Sequence, residues 1–538
     1  MSYQRMPSRE LVSQQDSALN PRTSVPRSRF LNNFGVKTTF DAGLLIPFLL
    51  DEILPGDMMK YDVTAYLRMA TPLFPIFDNQ RIDTHFFFVP TRLLWDNFVK
   101  MMGEQDNPAD SIAFTVPYID SPAGGFAVHS IFDQFGLPCV GQITAGQTIR
   151  VNALPLRAYN LIVNQWFKDQ NLQNNLVFSR GNGPDVVGSY ALFRRAKAHD
   201  YFTSCLPWPQ KFTAPNVPLL GTAPIVGLGF DIAVAGTAGS LDVRETSNAV
   251  VQQYAAWRLA SSAGAVAIEA TGSAANAQPL VFANLAAASG VSINQLREAF
   301  LIQQLLEQQA RGGTRYTEIV FEEFGITSDD ARLQRAEYIG GGSSALDVTP
   351  IAQTATGGGG VGALGAAATS VGSHRASFAA KEHGYVIGLI SVRTELSYQQ
   401  GLHRLWTRFS RPEYYTPVLA GLGEQAVLRQ ELYCTGVDVD DLTVFGYQER
   451  WQEYRTRYSE VRGMFRSTTA SNIDEWHLAE QFASPPVLGS TFIQDTPPMA
   501  RILPAANTNQ QYLADIHIRR DATRPIPQYG IPVTLGRM

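Results

Sequence analysis

Charge is scarce in this chain. Only 17% of its 538 residues are Asp, Glu, Lys or Arg, against roughly a quarter in an average soluble domain. With 45% hydrophobic residues the chain can build a core, so much of its surface must be neutral. Excess positive charge is missing too. The formal net charge is −5, which argues against a general nucleic-acid coat and leaves such contact to local patches or a basic helper. Cys139, Cys205 and Cys434 are few, odd in number and far apart, with no Cys-x-x-Cys pair. Neither a disulfide framework nor a thiolate zinc site is expected, and a reducing compartment is the simpler reading. No run approaches twenty apolar residues, which excludes membrane-spanning helices. The opening MSYQRMPSRELVSQQDSALNP lacks the apolar stretch of a secretory signal, so none is expected.

Catalytic signatures are equally thin. There is no His-Glu-x-x-His pair and no G-x-S-x-G elbow. Gly360-Val-Gly362-Ala-Leu-Gly365 fits G-x-G-x-x-G literally, but the preceding TPIAQTATGG is not the buried strand a dinucleotide site requires. The adjacent acids Glu322-Glu323, Asp329-Asp330 and Asp440-Asp441 point apart on a strand or a helix, so adjacency makes no acid/base pair. No catalytic residue and no cofactor is expected. A metal ion held by oxygen ligands between subunits is unreadable from sequence.

Present in abundance are 44 Gly, 31 Pro, 30 Phe, 20 Tyr and 7 Trp, a loop-rich chain with aromatics for a large core or wide interfaces. Tyr61–Met69 alternates as a half-buried strand, whereas Arg81–Pro90 contains Phe86-Phe87-Phe88-Val89 and predicts burial on both faces. Tyr385–Glu395 and Tyr512–Ile518 are further strands. Strands at both ends of the chain with long excursions between fit an antiparallel Greek-key or jelly-roll barrel. One helix is predicted over Leu156–Gln173. Another starts after the capping box Ser292/Gln295, carries Ile293, Leu296, Phe300, Leu301 and Leu305 on one face, and stops at Gly312-Gly313.

Several stretches point to partners. Residues 1–35 read as an extended arm, and 1–40 hold six bases against two acids. That arm is either a solvated tail or lies along a neighbouring subunit or phosphates. Between 215 and 294 only six residues are charged. This island is a flexible insertion or, the favoured reading, a small β-rich subdomain packing against copies of itself. Residues 340–380 are Gly- and Ala-rich and read as a loop ordered only on another chain. Arg450, Arg455, Arg457, Arg462 and Arg466 alternate with Trp451, Tyr454, Tyr458 and Phe465. Such a mixture stacks bases and neutralises phosphates, or forms salt bridges over an aromatic subunit interface, the favoured reading. The tail holds Arg519, Arg520, Arg524 and Arg537 between prolines and reads as an extended strap.

Long strings resemble the major capsid proteins of gokushoviruses, small single-stranded DNA phages of the Microviridae. They include KTTFDAGLLIPFLLDEILPGD, ATPLFPIFDNQRIDTHFFFVPTRLLWDNF, RAYNLIVNQWFKDQNLQ, HDYFTSCLPWPQK, INQLREAFLIQQLLEQQARGGTRYTEIV, EHGYVIGLISVRTELSYQQGL and RRDATRPIPQYGIP. The likeness covers nearly everything except about 215–290. It implies a mainly β fold, an eight-stranded antiparallel jelly roll with long insertions containing a few helices. It also implies roughly sixty copies closing a T=1 icosahedral shell around circular single-stranded DNA.

Along the chain this gives an N-terminal arm over 1–35 and the first part of the core with an inserted helix over 36–214. Residues 215–291 become a variable insertion, three copies of which form a threefold protrusion used in host attachment. The remaining core and the Gly-rich loop 340–380 fill 292–511, and the last strand and strap 512–538. Expected partners are the packaged DNA, a small basic packaging protein, a scaffolding protein and a host receptor, with no membrane insertion. The expected location is the virion, and the host cytoplasm during assembly. Arg22, Arg27, Arg29, Arg519, Arg520 and Arg524 are the candidate DNA contacts. The competing class is a jelly-roll carbohydrate-binding protein or glycosidase, which for cleavage needs two facing carboxylates in a groove.

Overall fold

The computed structural model describes residues 26–104, 114–215, 293–312, 315–327, 329–352, 364–503 and 510–529, with short strand pieces between 225 and 283. The chain divides into two compact units, 1–209 with 312–538, and 210–311.

Eight strands build the sheet of the first unit: β1 (Ser28–Phe40), β2 (Ile46–Ile53), β3 (Met58–Met69), β4 (Gln80–Pro90), β5 (Glu337–Ala352), β6 (Leu364–Ala379), β7 (Gly384–Thr394) and β8 (Tyr512–Arg524). Their order is β1-β8-β3-β6-β5-β4-β7-β2, every pairing antiparallel. First pairs with last, second with seventh, third with sixth and fourth with fifth. That nesting is the jelly-roll topology, a long hairpin wound on itself.

The inward side chains form one core, in which Phe40, Tyr61, Phe86, Phe88, Val386, Tyr512 and Ile516 meet. The predicted two-sided burial of β4 holds. Ile82, Phe86 and Phe88 enter that core, while Phe87 and Val89 turn the other way into a second cluster with Trp95, Phe126, Tyr159 and Ile162. The excursion after β4 supplies this cover. Within it lies helix α1 (Leu154–Ile162), started by Pro155 and pinned to the sheet by Tyr159, whose hydroxyl donates to the Leu45 carbonyl at 2.8 Å.

Three expectations are corrected. The helix predicted over Leu156–Gln173 is α-helical only to Ile162, continues as a π-turn over Val163–Phe167, and is extended by Lys168. Asp169 takes the Asn171 and Leu172 amides at 2.8 and 3.0 Å, a local turn that competes with further helix. Residues 28–35, expected in a tail or on a neighbour, pair within the chain, from Ser28 opposite Arg524 to Gly35 opposite His517. Residues 340–352 and 364–379 are not loop but parts of β5 and β6. Their small residues are required by crowding. A Cβ at Gly342 would collide with the His374 imidazole and one at Gly372 with the Ser344 hydroxyl. The ring itself is bonded to Thr84 at 2.7 Å and Ser344 at 3.0 Å. The G-x-G-x-x-G match lies mostly outside the described residues.

In the second unit, Ile225–Val226 pairs with Phe282–Ala283, Val243–Arg244 with Val251–Gln252, and Ala260–Ser262 with Ala265–Ala267. Helix α2 spans Ile293–Arg311 and ends where Gly312 follows, as predicted. Its proposed cap, Ser292, lies outside the described residues.

Candidate interaction surfaces

The two sides of the roll differ in cover. Along β3 burial alternates strictly on the outer positions, leaving Met58, Lys60, Arg68 and Tyr66 exposed or partly so, and along β8 Leu513, Asp515, His517 and Arg519 are exposed. Strand register lines these up. Arg519 stands opposite Asp62, Asp515 opposite Tyr66, and Tyr66 opposite Val371 of β6. Arg375 pairs with Asp62 at 3.3 Å and Lys37 with Asp515 at 3.9 Å. At such exposure these pairs contribute little to stability.

The candidate phosphate-binding arginines gather beside this face, where β1 meets β8. Arg29 forks onto Asp521, Nε to Oδ1 at 2.7 Å. Arg520 reaches Asp51 at 2.6 Å, and Arg524 reaches the Glu52 carbonyl at 2.7 Å and Asp57 at 3.4 Å. Arg27 and Arg519 are exposed and form no ion pair among the described residues. Arg22 lies outside the described residues. The structure thus brings five of the six together, and three of those five are already held by carboxylates of their own chain. Sequence reading missed the partners because both are far from the tail in the chain: Asp57 comes near through the pairing of β8 with β3, and Asp51 sits on β2, which pairs with β7 and not with β8.

Apolar side chains reach solvent at many places among the described residues, two stretches among them. Trp406 (67% exposed), Phe409 (90%) and Val418 (93%) protrude from the segment between β7 and β8. On α2 the predicted stripe of Ile293, Phe300 and Leu301 is also exposed. Within the first stretch the arginine–aromatic segment resolves into individual roles. Arg455 pairs with Glu449, Arg462 with Glu460, and Arg450 with the Pro412 carbonyl at 3.2 Å. Arg457 forms no ion pair among the described residues, and Arg466 reaches only the Val461 carbonyl at 3.4 Å. Both line a cavity of about 440 Å³ with His403, Trp406, Tyr458 and Arg462.

A neighbouring cavity of about 500 Å³ contains Glu413, Glu431, Asp438 and Glu453, the place to look for a carbohydrate-cleaving pair. Glu431 is bonded to Arg404 at 3.1 Å and to the Tyr201 hydroxyl at 3.0 Å. Glu453 is bonded to Arg408 at 2.6 Å and Gln425 at 2.8 Å. Burial raises the Glu453 carboxyl, but Gln425 and Arg408 outweigh it and hold it below the ordinary range. Two arginine-clamped carboxylates act as struts of this segment rather than as a free acid and a free nucleophile.

On the covered outer face of β4, Asp83 accepts from Arg195 at 2.6 Å and Arg393 at 2.9 Å. Burial, reinforced by Arg195, holds the neighbouring His85 down at about 4, so it stays neutral. Asp495 keeps one buried oxygen without a hydrogen bond, and burial pushes its carboxyl up to about 7. Among the described residues no three His, Cys, Asp or Glu side chains converge on a metal position. None of the described helices is long and apolar enough to cross a membrane.

The family model described as "Capsid protein (F protein)" matches residues 20–534. The chain is similar to capsid protein VP1 of Bdellovibrio phage phiMH2K, 41% identical with 98% of each chain covered. It is also similar to capsid protein VP1 of Chlamydia phage 1, 37% identical over 95% of this chain and 96% of the relative. To capsid protein VP1 of Spiroplasma virus 4 it is 33% identical, over 94% and 95%. With a jelly roll as its frame and matches along nearly its full length, the chain belongs to the phage capsid F-protein family.

Proposed function

We propose that this capsid protein closes a T=1 icosahedral shell of roughly sixty identical copies around circular single-stranded DNA. The observation that carries the reading is the apolar surface left open on a capsid-family chain, from Phe409 and Val418 to the α2 stripe. Such surface is covered when copies pack together. On this reading 215–291 forms the threefold protrusion that attaches to the host, since its near-neutral composition suits packing against copies of itself. DNA is met first by Arg27 and Arg519, and then by Arg22. Arg29, Arg520 and Arg524 join only by exchanging a carboxylate for a phosphate. A small basic packaging protein offsets the net charge of −5, a scaffolding protein guides closure in the host cytoplasm, and the finished location is the virion.

Electron microscopy of the purified protein tests this. The expected result is uniform closed particles with knobs on the threefold axes, which vanish when 215–291 is replaced by a short linker. A chain that stays monomeric even with scaffold partners and DNA added would sink the reading.

A further inference from the structure

We propose that the cavity between His403 and Arg466 binds one nucleotide unit of single-stranded DNA, the base stacked on Trp406 and the phosphate held by Arg457 and Arg466. The inference rests on the reading that the shell encloses such DNA and names a binding site for it away from the terminal arginines.

The cavity is built rather than incidental. Tyr458 forms one wall and is wedged against Phe202, with ring centroids 4.7 Å apart, and His403, at 5.7 Å. Strand-like bonds fix its surroundings, with the Val461 amide on the Tyr398 carbonyl at 2.9 Å. Burial, and then the Arg457 charge, lowers the affinity of His403 for a second proton. Its Nδ1 accepts the Leu405 amide at 3.1 Å, so the remaining proton of the neutral ring sits on Nε2 as a donor. Three arginines and one glutamate line the space, and that glutamate, Glu460, is taken by Arg462. The remaining two guanidiniums are left for an anion.

The volume, about 440 Å³, falls within the range of small-ligand sites. An acidic peptide from another copy would satisfy Arg457 and Arg466 and leave the indole of Trp406, 67% exposed, with nothing flat to cover it. A nucleotide uses both features, because every base has a π-face and every link a phosphate.

The test uses the full-length protein and a short oligodeoxythymidylate, with an abasic deoxyribose-phosphate oligomer of equal length as the control. The wild type should bind the first more tightly, with quenching of indole emission. Trp406→Leu should weaken it about tenfold without changing the salt dependence. Arg457→Gln with Arg466→Gln should weaken binding and flatten the slope of log K against log salt by about 0.7, the worth of the one phosphate they share. Unchanged affinity and slope in these variants would overturn the site, and if their shells still close around DNA the shell reading stands. Oligonucleotide binding that persists while particle closure fails would overturn it too, assigning the cavity to a neighbouring subunit. Circular dichroism melting of each variant separates these outcomes from misfolding.

Discussion

β4 and β3 are near neighbours in one chain and follow opposite rules. In β4 the run Phe86-Phe87-Phe88-Val89 is buried throughout, because the excursion after it lays Trp95, Tyr159 and Ile162 over its outer face. In β3 the sequence Val63-Thr64-Ala65-Tyr66-Leu67-Arg68 keeps every second residue apolar and leaves the rest partly or fully open. The same roll therefore has one wall thickened by an insertion and one left largely bare, with only residues 129–136 of that excursion reaching its β1 side. Burial on the covered wall stabilises the subunit. The bare wall contributes little to its own fold and remains available to something outside it.

The sharpest way to break that contrast is at Phe87. It is 1% exposed and touches Trp166, Phe167 and Tyr338 with ring centroids 5.4 to 5.8 Å away. Phe87→Ala should cost about 3–5 kcal/mol, read as a fall in the denaturant midpoint of the unassembled chain. A loss below about 1 kcal/mol would mean that the insertion does not lean on the sheet.

A smaller, pH-dependent effect is expected at Asp495, which faces Lys197, Glu480, Arg393 and Arg195. Its carboxyl sits near 7 when folded against an ordinary 3.8, chiefly through burial. The folded state thus binds the proton more tightly than the unfolded chain, and this group's contribution falls as pH rises from about 4 to 7. Other carboxylates, such as Asp83 and Asp185, are held low by arginines and act in the opposite sense. The diagnostic is therefore the difference between Asp495→Asn and wild type. That difference should be near zero at pH 4 and favour the variant by about 4 kcal/mol at pH 8. A flat difference across this range would show that Asp495 does not hold its proton.

Periodicity made the strands legible at Tyr61–Met69 and Arg81–Pro90, since alternation and its absence report directly on how many faces are covered. It misread residues 340–380, because Gly and Ala are poor in burial signal. Gly342 is there to admit the His374 imidazole and Gly372 the Ser344 hydroxyl, contacts that exist only once β5 lies against β6. The helix after Leu154 was overextended for a similar reason. Trp166 and Phe167 keep helical spacing, but a π-turn carries them. The arginines of the tail were visible as charge. Of their carboxylates, Asp57 is brought to them by the pairing of β8 with β3, and Asp51 by the fold of β2, which pairs with β7 instead of β8.

The smallest stability effect belongs on the bare wall, and it is the most informative about assembly. Tyr66 and Val371 stand opposite each other there, 45% and 68% exposed. Each replaced by Ser should change the stability of the unassembled chain by no more than about 0.5 kcal/mol, as exposed positions generally do. Their cross-strand contact adds about 0.2–1 kcal/mol at most. If a neighbouring copy covers this wall, the double variant should melt like wild type yet need several-fold more protein to form particles, measured by light scattering. If it melts like wild type and assembles at the wild-type concentration, the wall faces solvent or DNA. Binding of single-stranded DNA would then weaken on removing Arg519 or Lys60 from the same face, with no change in the concentration needed for closure.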